Sequence, residues 1–321
     1  MSEFESVATS ELQSAARGPA GEPDAPGQPH TLESQPRSAT ADAWRELRRK
    51  PLFWLAVLIT VLVVVMASFP SLFTPADPAD CALSRRLAGP SGPALFGFDV
   101  QGCDVFAKAV YGTKNSVLIG GLAALLAGVI AVALGVTAGY FGRWWDALVS
   151  RVVDIVLGLP LLLAGIVFMK RVSNSGGGQT ARITALILVL GMLGWTTAAR
   201  VIRSSVITAK QQDYVAAARM LGAGHGRIMP RHILPNAIAP FIVIITMALG
   251  SFIAAEATLS FLGVGLIPPS QSWGVDIAEA RNYMRENFLP LAVPSAFLAL
   301  TVLAFIVLGD TIREAFDPKL R

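Results

Sequence analysis

The sequence predicts an all-α, polytopic membrane protein with six transmembrane helices and an ordered cytoplasmic loop between helices 4 and 5. Three observations predict it. Of 321 residues 53% are hydrophobic and only 15% charged, whereas soluble domains carry about 25% charged residues. Six apolar stretches are long enough to cross a hydrocarbon core of about 30 Å as helices, the form that satisfies the backbone inside lipid. Between the fourth and fifth lies "KQQDYVAAARMLGAGHGRIMPRHILPN", Lys210 to Asn236, polar, basic and punctuated by Gly and Pro. The formal net charge of +4 is small; it bears on membrane sidedness rather than on nucleic acid, which is not expected as a partner.

Residues 1–43 are rich in Ala, Ser, Pro, Gly and Glu and nearly free of large apolar groups. Such a segment cannot bury enough surface to offset its chain entropy, so a disordered cytoplasmic tail is expected, followed by a permease domain over 44–321. The first apolar stretch, Leu52 to Phe73, is too long for the apolar core of a cleaved signal peptide. It leads into an external loop over 74–112 that holds Cys81 and Cys103. Two cysteines in one exported loop favour a disulfide, with unpaired thiols as the alternative.

The second stretch, Ser116 to Tyr140, reads "GGLAALLAGVIAVALGVTAG" through its middle, a run of small residues that lets another helix approach closely. The third, Ala147 to Met169, carries Asp154 and Pro160. Asp154 is expected to pair with Arg151 or Arg143. The fourth is Ile183 to Ile202. The fifth, Ile238 to Leu259, ends near Glu256, which either lines the translocation path or hydrogen-bonds within the bundle, because an acid facing lipid costs several kcal/mol. An external loop over 260–288 precedes the sixth, Leu289 to Gly309.

Orientation follows from the short flanks. "RELRRK" precedes the first span, and the loop over 204–236 together with the end of span four carries Arg200, Arg203, Lys210, Arg219, Arg227 and Arg231 against Asp213. Both clusters belong on the cytoplasmic side, which places both termini there. Lys170, Arg171 and Arg182, around "VSNSGGGQTA", fall on the external side and run against the rule.

Within the loop, Asp213 is expected to cap a two-turn helix. Tyr214, Ala217, Ala218 and Leu221 recur at helical spacing, and Gly222 ends it in the left-handed conformation. "LPN" and Pro240 then turn the chain into the fifth span. A helix of this length is stable only when packed. Two readings stand on the pattern: insertion into a groove on another protein, or an amphipathic hairpin on the headgroups.

The loop resembles the EAA loop of ATP-binding-cassette importer permeases, E-A-A-x-x-x-G-x(9)-I-x-L-P, here Ala216-Ala217-Ala218, Gly222 and Leu234-Pro235, with Ala216 where Glu is usual and His232 where Ile is usual. "DYVAAARMLGA" and "RHILPN" are similar to the dipeptide/oligopeptide/nickel branch. "FGFDVQGCDVF", Phe96 to Phe106, resembles that branch's L-G-T-D-x-x-G-R-D-V-F, with Cys103 in the Arg position. "LSFLGVGLIPPSQSWG" and "LTVLAFIVLGDTIREAFDPKLR" resemble its last external loop and C-terminal end, and the cysteine-bearing form looks most like actinobacterial members.

The resemblance implies the type I importer permease fold, with the loop as a coupling helix. The ATPase-docking residues are then Asp213, Tyr214, Ala216, Ala217, Ala218, Arg219, Leu221, Gly222, His232, Leu234 and Pro235. It also implies alternating-access transport of dipeptides or oligopeptides, with a second homologous permease, two ATPase subunits and an extracytoplasmic peptide-binding protein as partners. No Gly-Lys dipeptide occurs, hence no Walker A loop, so ATP and Mg are expected on partner subunits and none in this chain. No catalytic constellation or metal site is expected. A secondary transporter or a membrane scaffold not coupled to ATP is the alternative.

Overall fold

A computed structural model of the chain describes residues 44–92, 94–174 and 176–316. The expected tail over 1–43 and the basic C-terminal residues 317–321 lie outside them. Numbering the helices of two turns or more, α1 is Pro51–Ser68, α2 Val105–Phe141, α3 Arg143–Leu157, α4 Leu161–Asn174, α5 Gln179–Gly194, α6 Thr196–Lys210, α7 Asp213–Met220, α8 Leu234–Phe261, α9 Trp273–Ala280 and α10 Leu289–Phe316. Among the described residues four helices are long and apolar enough to cross a membrane, and two bent pairs, α3–α4 and α5–α6, bring the number to six if each pair is one span.

The core forms where small residues let helices touch. α2 packs against α5, α6 and α8, α8 against α10, and α10 against α1. Along α2, Ala123, Ala127, Ala131 and Ala138 are fully buried. A β-carbon on Gly135 would stand 2.7 Å from the Ala199 carbonyl oxygen of α6, and one on Gly139 2.8 Å from that of Arg203. The small-residue run therefore fixes the α2–α6 approach, with gains in dispersion contacts that lipid tails do not match.

Several boundaries depart from the sequence reading. α2 starts at Val105, not Ser116, because the Asp104 carboxylate caps it by accepting from Ala107 N at 3.0 Å. Its 37 residues span about 55 Å, so about two turns assigned to the loop over 74–112 stand beyond the apolar part. The third stretch is not one straight span: α3 and α4 meet at 79° across Gly158-Leu159-Pro160, since proline supplies no N–H and pushes its predecessor out of helical conformation. α5 and α6 bend by 41° at Trp195 and run on to Lys210, shortening the loop over 204–236. "LPN" does not reverse the chain. A one-turn helix, His225–Ile228, and a π turn, Met229–Ile233, run directly into α8; Pro230 and Pro235 each lack a donor, and the wider turn absorbs the missing bonds. The loop over 260–288 is not bare either, as it contains α9, capped by Ser272.

The six passes sort their connections to two ends. Cys81 and Cys103 are joined in a disulfide at one end. There, Arg182 is buried and donates to the Gly265 carbonyl at 3.1 Å and to Ser173 Oγ at 2.8 Å. That accounts for a basic residue on the side where the charge rule did not expect it. At the other end Lys50, before α1, meets Glu314 of α10 at 2.7 Å, and α7 lies on this same end.

Candidate functional site: the docking loop

α7 is built on two anchors. Val215 is fully buried and Ala218 is 8% exposed, while Tyr214, Ala216, Ala217 and Arg219 face outward and Met220 and Leu221 are 84% and 89% exposed. The expected face therefore splits: Ala218 turns inward beside Val215, and Tyr214, Ala217 and Leu221 turn outward with Met220. Val215 was missed because its position falls outside the 214/217/218/221 spacing. Asp213 is not the cap. Gln212 holds the extended N-cap conformation, φ −77° and ψ 149°, and Asp213 is the first helical residue, where its charge still favours the helix N-terminus.

The helix ends as its sequence requires. Gly222 has φ +82°, Gly222 N donates to the Arg219 carbonyl at 2.9 Å and Ala223 N to the Ala218 carbonyl at 3.0 Å, a Schellman motif. A β-carbon on Gly222 would meet nothing within 4 Å, so the glycine is needed for its backbone conformation and not for space.

The loop is tied to the spans by contacts that no local pattern announces. Tyr140, in the last turn of α2, places its hydroxyl 2.6 Å from His225 Nδ1, and Lys210 Nζ donates to the Tyr140 carbonyl at 2.5 Å and lies 5.4 Å from its ring centre. Ile228 and Ile233 are buried beneath the loop. His232 is half-buried, with Asn236 Nδ2 donating to its carbonyl at 2.8 Å, Leu234 is half-buried and Pro235 exposed.

Asp154 sits differently from expectation, whereas Glu256 takes the hydrogen bonding within the bundle that was one of its two expected roles. Asp154 pairs with Arg200 of α6 at 2.6 Å rather than with Arg151 or Arg143, because the fold brings α3 into contact with α6. Asp146 forms a two-pronged pair with Arg203, one prong at 2.7 Å between Nη2 and Oδ2. Glu256 does not line an open path in this structure. It is fully buried, accepting from Ser116 Oγ at 3.1 Å and Ser260 Oγ at 2.8 Å, while Trp273 N donates to Ser116 Oγ and Leu266 N to Ser260 Oγ. It thus knits α8 to α2 and to the segment leading into α9. Among the described residues no group of three or more His, Cys, Asp or Glu is placed to hold a metal.

Four long apolar helices, two bent pairs and a short helix displayed at one end define a multi-pass membrane protein with an exposed loop helix. Residues 131–321 match the family described as binding-protein-dependent transport system inner membrane component, and residues 38–90 match the N-terminal transmembrane domain of oligopeptide transport permease C. The chain belongs to this family of binding-protein-dependent transport permeases. It is 35% identical over 280 residues to the dipeptide transport system permease protein DppC of Alkalihalophilus pseudofirmus, covering 87% of this chain and 90% of that one. To the glutathione transport system permease protein GsiD of Escherichia coli O6:K15:H31 it is 34% identical, covering 91% and 95%. Its fold matches a chain of the MetNI methionine ABC transporter in an inward-facing conformation, with a TM-score of 0.52 and 19% identity over 65% of this chain and 96% of that chain. This last likeness bears on the fold alone.

Proposed function

We propose that this chain is the translocation subunit of an ATP-driven importer of dipeptides or oligopeptides in the cytoplasmic membrane, with the α7 end and both termini in the cytoplasm. It works by alternating access beside a second homologous permease. Two ATPase subunits bind ATP and Mg, and an extracytoplasmic peptide-binding protein delivers the cargo. The names of the relatives support the cargo class. The observation that carries the docking role is the outward face of α7: Tyr214, Ala217, Met220 and Leu221 are exposed on a helix whose buried residues are Val215 and Ala218. Exposed apolar groups on a two-turn helix fit insertion into a groove. ATP-driven closure of the ATPases would displace α7, and its ties through His225, Tyr140 and Lys210 would carry the displacement into α2 and α6.

Ala217→Arg and Leu221→Arg test this reading. In a groove, each buries an unpaired charge that costs several kcal/mol; on headgroups, each is tolerated or improves binding. The expected result is loss of ATPase co-purification and of peptide uptake at matched membrane levels. Normal co-purification from both variants would sink the docking role.

A further inference from the structure

At the disulfide end, three carboxylates converge on one ammonium. Lys108 Nζ lies 2.7 Å from Asp99 Oδ2, 2.8 Å from Glu279 Oε2 and 3.7 Å from Asp276 Oδ1. Two of the acids are fully served. Asp99 Oδ1 accepts from the backbone N–H groups of Gln101 and Cys103 at 2.8 and 2.9 Å, and Glu279 Oε1 accepts from Gln101 Nε2 at 2.9 Å. Asp276 is not: it is 7% exposed, and neither of its carboxylate oxygens has a hydrogen-bond partner. A buried carboxylate without donors costs far more than one with them, and one lysine cannot balance three acids.

The unserved carboxylate borders space. A cavity of about 220 Å³ is lined by Asp276, Glu279, Gln101, Ser270 and Lys108, with the exposed Ala79 and Pro269 beside them. At about 30 Å³ per water that is room for about seven waters, enough for a cationic head group with a peptide unit behind it. The point where the three acids converge is already filled by the Lys108 ammonium, which leaves no cage of carboxylates for a metal ion. What the site lacks is one more compact cation that donates hydrogen bonds, of the kind these acids already accept from Lys108.

We propose that this cavity is a subsite for a primary ammonium group, and that the group it takes is the free amino terminus of the peptide cargo. The second half rests on the peptide-importer reading; the first does not. Asp276 accepts from the incoming ammonium, Glu279 adds a second negative charge at the wall, and Ser270 lines the same cavity. Burial, ahead of the attraction of Lys108 and the repulsion of Glu279 and Asp99, pushes the Asp276 carboxyl up to about 7, so the subsite is charged and receptive above that range and closes by protonation below it.

The test uses the full chain purified with its partner subunits in lipid nanodiscs, above the Asp276 titration range. Ethylammonium chloride should raise the unfolding midpoint beyond sodium chloride at equal ionic strength, and the excess should vanish in Asp276→Asn and shrink in Glu279→Gln. Trialanine should reproduce it and N-acetyl-trialanine should not. If ethylammonium does no more than sodium, the subsite is overturned, whether or not cells import peptides. If ethylammonium acts but trialanine and its acetylated form are equivalent, the assignment to the amino terminus is overturned. An ethylammonium effect in a complex that imports no peptide refutes the cargo reading and leaves the ammonium subsite standing.

Discussion

The Tyr140 hydroxyl meets His225 Nδ1 at 2.6 Å, joining the end of α2 to the loop that carries α7 across 85 positions of sequence. With Lys210 bonded to the same tyrosine's carbonyl, Tyr140 is a hub that joins the loop to the ends of α2 and α6. Tyr140→Phe removes one hydrogen bond worth about 1 kcal/mol while keeping the ring. The expected outcome is normal insertion and ATPase binding, but several-fold less peptide moved per ATP hydrolysed in proteoliposomes. An unchanged ratio would show that the hub transmits nothing.

Gly222→Val forces a β-branched residue to φ +82°, at a cost of about 1–3 kcal/mol. No neighbour stands within 4 Å to clash, so the damage is confined to the end of α7. Uptake should fall with membrane levels unchanged, and Gly222→Asn, which tolerates the left-handed region, should recover much of it.

The Cys81–Cys103 disulfide closes a loop with a sequence separation of 22. Restricting an unfolded loop of that length contributes about 3 kcal/mol. Cys81→Ser should therefore lower the unfolding midpoint and make the segment before α2 a target for protease added outside intact spheroplasts. Thiol labelling of denatured, unreduced wild-type protein should find neither cysteine.

For Asp276 the sign of the pH dependence can be worked out. Its folded value, about 7, lies above the ordinary aspartate value near 4. Between those limits the folded state holds more protons than the unfolded state, so stability falls as pH rises through the window and the loss is complete above it. Asp276→Asn removes this dependence. Relative to wild type, the variant should gain in unfolding midpoint from pH about 4 to pH about 7, and a constant difference across that range would contradict the burial argument.

Glu256 makes a sharper structural test. Glu256→Gln keeps a side chain that can bond Ser116 and Ser260, and should leave thermal stability near wild type. Glu256→Ala strands both hydroxyls and opens a void in the α2–α8 contact, and should cost about 2–5 kcal/mol.

By itself the sequence determined the membrane class, the six apolar passes, the loop helix with its glycine stop, and the family, because these rest on local signals: apolar length, helical spacing, the special conformation of Gly222 and the residues of four motifs. Other features arose only from tertiary structure. Pro160 marked a break but not its 79° angle, and it is the contact of α3 with α6 that hands Asp154 to Arg200 and Asp146 to Arg203. Val215 and Ala218 became the inward face of α7 because the bundle beneath supplies the groove, which helical periodicity cannot orient. Tyr140 read as the tail of an apolar run, and nothing local singled out Asp276; their partners, His225 and Lys108, lie 85 or more positions away in the chain. Charge and hydrogen-bond satisfaction depend on which distant groups are brought within about 3 Å, and only the folded chain decides that.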